Sequence, residues 1–237
     1  MTFIIVIYVR EGIVVASDSR LTLNTTSQEG ERQVVKMAVA ESDSNSKLFL
    51  TNSKVGIATY GQADIQGVPI AGYVESFIKE NLTNESQVDE IPQRILKYFR
   101  DLSQSLDTVF IITGYKKILN TWEQQVWEVK ISKNSATRVD QPGTQGAYWG
   151  GEGDIFSRLL QPVGIKNDEG FQAYPNYPIQ FGYFTLQDAI DYGIYAVKVT
   201  IDTMRFHPRP KTVGGPIDVL VIKPDEAIWV QKKTLHV

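Results

Sequence analysis

A chain of 237 residues, 42% hydrophobic and 22% charged, is long enough to bury a sizeable core and reads as one globular domain over residues 1–237. Its net charge of −3, with no stripe of Lys and Arg, argues against nucleic acid and anionic membrane as partners. The absence of cysteine excludes disulfides, thiol chemistry and thiolate zinc sites, and it fits a reducing cytoplasm.

The run Phe3 to Val9 carries no charge. No basic segment precedes it, no small-residue cleavage pattern follows, and it is too short to span a bilayer, so it reads as a buried strand. The turn Arg10-Glu11-Gly12 leads to a second strand, Ile13 to Ser17, and the two make a hairpin. QVVKMAVA (33–40), KLFL (47–50) and KVGIATYG (54–61) also have strand composition, although segment 22–46 as a whole is polar enough to read as a loop or insertion. Beyond Gly61 the apolar spacing changes to three and four. That predicts amphipathic helices over 62–80, interrupted in composition by Pro69 and Gly72, and over 89–106.

Strand chemistry returns in TVFIITGY (108–115), WEQQVWEVKI (122–131) and a shorter run at 136–140, with a hairpin turn between the first two. Two further helices are predicted at 154–161 and 185–204, the second opened by Thr185 with Asp188 three residues on, as in a capping box. Segment 163–184 reads as a loop, and strands IDVLVI (217–222) and AIWVQKK (227–233) follow. Strands, two helices, strands, two helices and strands again, with no βαβ alternation, predict an α+β fold. Two sheets face to face with a helix pair outside each would bury all of it.

Chemistry is narrowed by elimination. The two histidines, His207 and His236, cannot supply a metal cluster or a Ser-His-Asp triad, and the nucleophile-elbow, P-loop and dinucleotide fingerprints are missing. GGEGD at 150–154 is too weak a pattern for a phosphate site, and no cofactor or metal is expected. Thr2 offers another route. Once Met1 is removed, a threonine carries its own α-amine beside its hydroxyl, and such an amine titrates near the working pH, at roughly 7.7 to 8.0. A neighbouring Lys would disfavour the ammonium form of that amine, and a carboxylate would hold the Lys.

The residues around Thr2 resemble those of proteasome β subunits and their bacterial relatives among the N-terminal nucleophile (Ntn) hydrolases. Asp18 follows Thr2 by sixteen in ASDSRLT, which also carries Arg20 and Thr22; Lys47 precedes Gly61 by fourteen in KLFLTNSKVGIATYG. ASDSR further resembles the bacterial Anbu (ancestral β-subunit) branch. The resemblance covers nearly the whole chain, with VGGPIDVLVI similar to the family's late strand. It implies the four-layer αββα sandwich, two antiparallel sheets flanked by helix pairs. It also implies Thr2 as nucleophile, Asp18 and Lys47 as its charged partners, and the Gly61 N–H in the oxyanion hole.

This chain departs from the family pattern at several points. A longer stretch between Asp18 and Lys47 leaves Lys36 as a rival lysine; Lys47 is preferred because Lys36 lacks the downstream glycine. Where proteasomes carry Gly-Ser-Gly, Gly151-Glu152-Gly153 stands, so Glu152 either replaces the supporting Ser or is a loop carboxylate. Asp202 is the candidate for the family's later Asp, although the residues after it do not match the usual Ser-Gly. Arg20, Gly151, Glu152 and Asp202 thus form the expected supporting set. The pocket positions fall on Leu21, Phe49, Thr59 and Ala63, which implies a small or medium apolar side chain at the scissile residue.

The function implied is a threonine-type peptidase or amidohydrolase acting on peptide or amide substrates in a homo-oligomeric ring or helix, with an ATP-dependent unfoldase as an optional partner. The alternative is a ring- or shell-forming homologue with little activity, which retention of Met1 would favour. Ile65, Val68, Ile70, Tyr73 and Phe77 exceed what one helix face needs, so some of them are expected at a subunit contact; the other reading has all five packing inward around a kink.

Overall fold

The hairpin at the front lies inside the protein. Strands β1 (Phe3–Val9) and β2 (Gly12–Ser17) pair antiparallel from Val9↔Gly12 to Ile4↔Ser17, and every residue of both is buried. Burial on both faces explains why Phe3 to Val9 shows no polar alternation. The structure is a computed structural model that describes residues 2–29, 32–168, 170–175 and 177–234, with the backbone alone for 23–29 and 32–40.

After the hairpin come β3 (Leu21–Glu29), β4 (Arg32–Ser42), β5 (Leu48–Leu50), β6 (Gly56–Gly61), β7 (Asp64–Ile65), β8 (Val68–Pro69), α1 (Ile70–Asn81) and α2 (Ile91–Leu102). Then follow β9 (Thr108–Ile118), β10 (Thr121–Lys130), β11 (Ser135–Arg138), β12 (Gly146–Gly151), α3 (Asp154–Leu160), β13 (Gly164–Asn167) and β14 (Gly170–Ala173). A 3-10 turn at Phe181–Tyr183 leads to α4 (Leu186–Phe206), β15 (Asp218–Ile222) and β16 (Ala227–Gln231).

One sheet has the order β12-β1-β2-β15-β16 and the other β11-β10-β9-β6-β5, all neighbours antiparallel. The two faces of β1 show how they stack. Ile4 and Val6 point to the second sheet, meeting a cluster that includes Ala58, Ile111 and Val126. Phe3, Ile5 and Ile7 point the other way, into a cluster with Phe156 of α3 and Ala189 and Val197 of α4. On the far side of the second sheet Ile57, Phe110 and Ile112 pack with Val74 and Phe77 of α1 and Ile95 and Phe99 of α2. Helices, sheet, sheet, helices: this is the αββα sandwich. α4 opens with the expected capping box, Thr185 Oγ1 accepting from the Asp188 N–H at 3.2 Å and Asp188 Oδ2 from the Thr185 N–H at 2.8 Å.

Two local expectations are corrected, and one strand was not expected. The helix expected over 62–80 starts only at Ile70, because Pro69 has a fixed φ and no N–H and so stands before the first turn, leaving 64–69 to the small β7–β8 pair. Of its five apolar residues, Ile65, Ile70 and Phe77 are buried, Tyr73 packs on the same cluster and Val68 is half exposed. Segments 22–46 and 163–184 hold the two-stranded ribbons β3–β4 and β13–β14, where a backbone ladder forms despite turn-rich composition. β12, with Gly146, Gly150 and Gly151, has no strand signature of its own and exists through its pairing with β1, from Tyr8↔Gly146 to Phe3↔Gly151. Among the described residues no helix is long and apolar enough to cross a membrane.

Candidate active site

The register of the first hairpin sets the site. One step past its last ladder pair, the Phe3 N–H donates to Asp18 Oδ1 at 3.0 Å, and the Asp18 N–H donates to the Phe3 carbonyl at 3.4 Å. Lys47, just before β5, brings Nζ to 2.8 Å from the same Oδ1. Asp18 Oδ2 accepts from the backbone N–H groups of Arg20 at 3.1 Å and Gly214 at 3.0 Å. The carboxylate is fully buried and takes four donors, so its orientation is fixed from β1, the residues that lead into β3 and β5, and the Gly214 loop. Burial pulls the Lys47 ammonium below its ordinary range; the Asp18 carboxylate opposes that shift.

Thr2 is held from the other edge of β1. Its carbonyl accepts the Glu152 N–H at 2.7 Å, and Gly151 lies against it with φ +87°. A side chain at 151 would run into the Thr2 carbonyl, so glycine is required by both the backbone angle and the space. The Glu152 carboxylate accepts from Thr212 Oγ1 at 3.3 Å and lies 3.8 Å from Arg209 Nη1. Gly61 ends β6 at φ +102°, with the Asp107 carbonyl where a Cβ would be. Thr59 donates to the Lys47 carbonyl and Gln62 to the Asp107 carbonyl, so the strand alternation directs the Gly61 N–H to the β5 side, past the start of that strand. There Thr2, Lys47, Thr59, Gly61 and Ala63 line a narrow recess. Thr2 and Gly61 also border a second cavity of about 240 Å³ with Tyr60, Gly151 and Glu152.

The expected residues are therefore brought together in part. Thr2, Asp18, Lys47, Gly61, Gly151, Glu152, Thr59 and Ala63 converge. Arg20 gives Asp18 only its N–H; its guanidinium turns outward to Asp43 at 2.6 and 2.8 Å and lies against Gly214, which leaves no room for a side chain there. Asp202 is corrected outright: it lies on α4, more than half exposed, paired with Lys198 one turn away. Phe49 packs in the core under α1, and its cavity lies beside Ser46 and Trp229; Leu21 lines neither depression at Thr2. Lys36 falls on β4 opposite Thr25, and its side chain lies outside the described residues.

Sequence reasoning missed Gly214, Thr212, Arg209 and Tyr60, and a second buried pair, Asp218 with Lys233. Signals existed for two of them. A glycine pair heads VGGPIDVLVI, and a charged residue opens an otherwise apolar strand.

Two antiparallel sheets between helix pairs, with Thr2 heading the first strand beside a buried Asp–Lys pair, make a four-layer αββα sandwich. Its fold is similar to that of Anbu. A (Gly-1) mutant of Anbu from Hyphomicrobium sp. strain MC1 superposes with a TM-score of 0.60 at 14% identity, covering 98% of this chain and 86% of that one. A second structure of Anbu from the same strain gives 0.56 at 13% identity, covering 98% and 88%. No protein-family model and no curated protein matches the sequence.

Proposed function

We propose that this chain is a threonine-type peptidase or amidohydrolase, with Thr2 as its nucleophile after Met1 is removed. One observation carries the reading. The buried Asp18 carboxylate joins the backbone next to Thr2 and the Lys47 ammonium through one oxygen, and Thr2, Lys47 and Gly61 line one recess.

The freed α-amine takes the proton of the Thr2 hydroxyl as Oγ attacks the substrate carbonyl. Asp18 holds Lys47 beside the nucleophile, where its charge disfavours protonation of the amine and the leaving of a proton from Oγ becomes easier. The Gly61 N–H donates to the oxyanion of the tetrahedral intermediate. Collapse expels the amine of the substrate, protonated from the Thr2 ammonium, and leaves an ester on Thr2 Oγ. Water, activated by the same α-amine, then hydrolyses the ester. Glu152, hydrogen-bonded to Thr212 and paired with Arg209, borders the cavity as the counterpart of the family's supporting Ser. Thr59 and Ala63 remain as the acyl-side pocket, and their narrow recess suits a small apolar side chain.

The working form proposed is a cytoplasmic homo-oligomer, a ring or a helix of at least six subunits in the family's manner, with an unfoldase as a further partner. Light scattering at micromolar concentration tests the assembly; a monomer would refute it. For the chemistry, an epoxyketone or β-lactone probe followed by intact-mass and peptide mapping should show one adduct, on Thr2, in protein lacking Met1. Protein that has lost Met1 yet takes no adduct and cleaves no peptide or ester reporter would leave the shell-forming homologue as the reading.

A further inference from the structure

Behind the Asp18–Lys47 pair lies another buried pair that the mechanism above does not use. Asp218 opens β15 opposite Ser17, the last residue of β2, and is 2% exposed. Its Oδ1 accepts the Lys233 N–H at 2.8 Å, and its Oδ2 accepts from the Lys233 ammonium. That ammonium also donates to Ser19 Oγ at 2.9 Å. Ser19 adjoins Asp18 in the chain, gives its N–H to the Gly214 carbonyl at 3.0 Å, and takes the Asn45 N–H on its own carbonyl at 3.1 Å. One residue thus ties together the Asp18 turn, the Gly214 loop that caps Asp18, and the segment leading to Lys47.

We infer that Lys233, held by Asp218, is a positioning residue for the Asp18–Lys47 pair and makes the segment after β16 part of the active site. The inference rests on the threonine-hydrolase reading. Two charges taken out of water lose hydration that their mutual attraction does not reliably restore, so a buried pair is a weak device for stability alone. Its location matters more. Among the described residues, the charged groups acting on Lys47 include Asp18 and Asp43, which favour its ammonium form, and Lys233, which disfavours it. Lys233 is therefore the cationic counterweight in a cluster whose carboxylates would otherwise hold the Lys47 proton more firmly. It also fixes, through Ser19, the turn from which Asp18 reaches both Phe3 and Lys47.

The test follows the Lys47 side-chain nitrogen by heteronuclear NMR across an alkaline titration, its signal assigned with Lys47→Arg, in the wild type, Lys233→Met and Lys233→Arg. Steady-state kinetics run alongside. Lys233→Met should move the Lys47 titration to higher pH and lower kcat by about tenfold with little change in KM, whereas Lys233→Arg should restore both. A folded Lys233→Met whose Lys47 titrates as in the wild type overturns the inference, even if its melting temperature falls. Should Lys233→Met not fold, Lys233→Met/Asp218→Leu removes both charges and replaces the pair by apolar contacts, which buried sites tolerate. The same upward shift is expected there, and its absence is equally fatal. Wild-type protein without Thr2-dependent hydrolysis overturns the hydrolase reading and the kinetic half of the inference, while the NMR shift still decides the coupling of Lys233 to Lys47.

Discussion

Two lysine–aspartate pairs in this chain have the same 2.8 Å separation. Lys198 and Asp202 are one helical turn apart on α4, with side chains 64% and 55% exposed. Lys47 and Asp18 are 29 residues apart, with side chains 3% and 0% exposed. The first pair is made by the helix repeat and is screened by water, so it contributes only a few tenths of a kcal/mol (about 0.3–0.5). The second exists only when two sheets have stacked, and it carries a desolvation cost that water cannot relieve. Distance is thus a poor guide to what an ion pair does; the surroundings decide. The resemblance offered Asp202 as the counterpart of the family's later Asp, and its place on the exposed face of α4 argues against that role.

The comparison can be broken at the buried end first. Thr2→Ala should abolish hydrolysis of amide and ester reporters and leave the melting temperature nearly unchanged, because it removes one hydroxyl and one methyl at a cavity edge; reporter cleavage at wild-type rate would end the proposed mechanism. Lys47→Ala should lower turnover by about 10²–10⁴-fold, the usual scale for losing a group that tunes proton transfer, measured as kcat with Met1-free protein. Asp18→Ala should do the same and also destabilise by about 3–5 kcal/mol in denaturant melts, since it takes the Asp18 carboxylate away from a buried Lys47 charge.

A smaller effect is expected at the rim. The Arg20 hydrogen bonds hold the Asp43 carboxyl below its usual range, so the unfolded chain binds the extra proton first as pH falls. The pair's contribution is therefore complete above the ordinary carboxylate range and is lost as pH drops through the lower folded value. With Asp43 45% exposed, that contribution stays under about 1 kcal/mol. Asp43→Asn should remove it at neutral pH, and the two proteins should converge in stability under strong acid. At the exposed end, Lys198→Ala and Asp202→Ala should each change stability by less than about 0.5 kcal/mol and leave kcat alone. Lys36→Ala should likewise leave turnover intact; a loss equal to that of Lys47→Ala would reverse the choice between the two lysines.

Most of the layer order was legible in the order of elements, strands and helix pairs without βαβ alternation, and the apolar runs of β1, β2 and β15 agree with burial on both faces. α4 announced itself through Thr185 and Asp188. The strands that were not legible are those whose residues say nothing locally. β12 is half glycine, and its pairing with β1 is a tertiary event. The site divided along the same line. Asp18, Lys47 and Gly61 could be found by spacing because each terminates or heads a strand of fixed register. Gly214, Thr212, Arg209 and Lys233 arrive from segments whose route back to Thr2 depends on how α4 and β15 pack, which no local pattern encodes.

The β1–β2 hairpin is also a length standard. Ladder pairs run from Val9↔Gly12 down to Ile4↔Ser17, and the next step sets Phe3 against Asp18. The sixteen-residue interval between Thr2 and Asp18 is thus a count of rungs. One residue inserted within β1 or β2 would offset the rungs beyond it and exchange the faces of the rest of that strand, carrying the nucleophile away from its carboxylate. Loops elsewhere on the sandwich can lengthen freely, as the β3–β4 ribbon does. The strands of this hairpin cannot, even at the end opposite the chemistry.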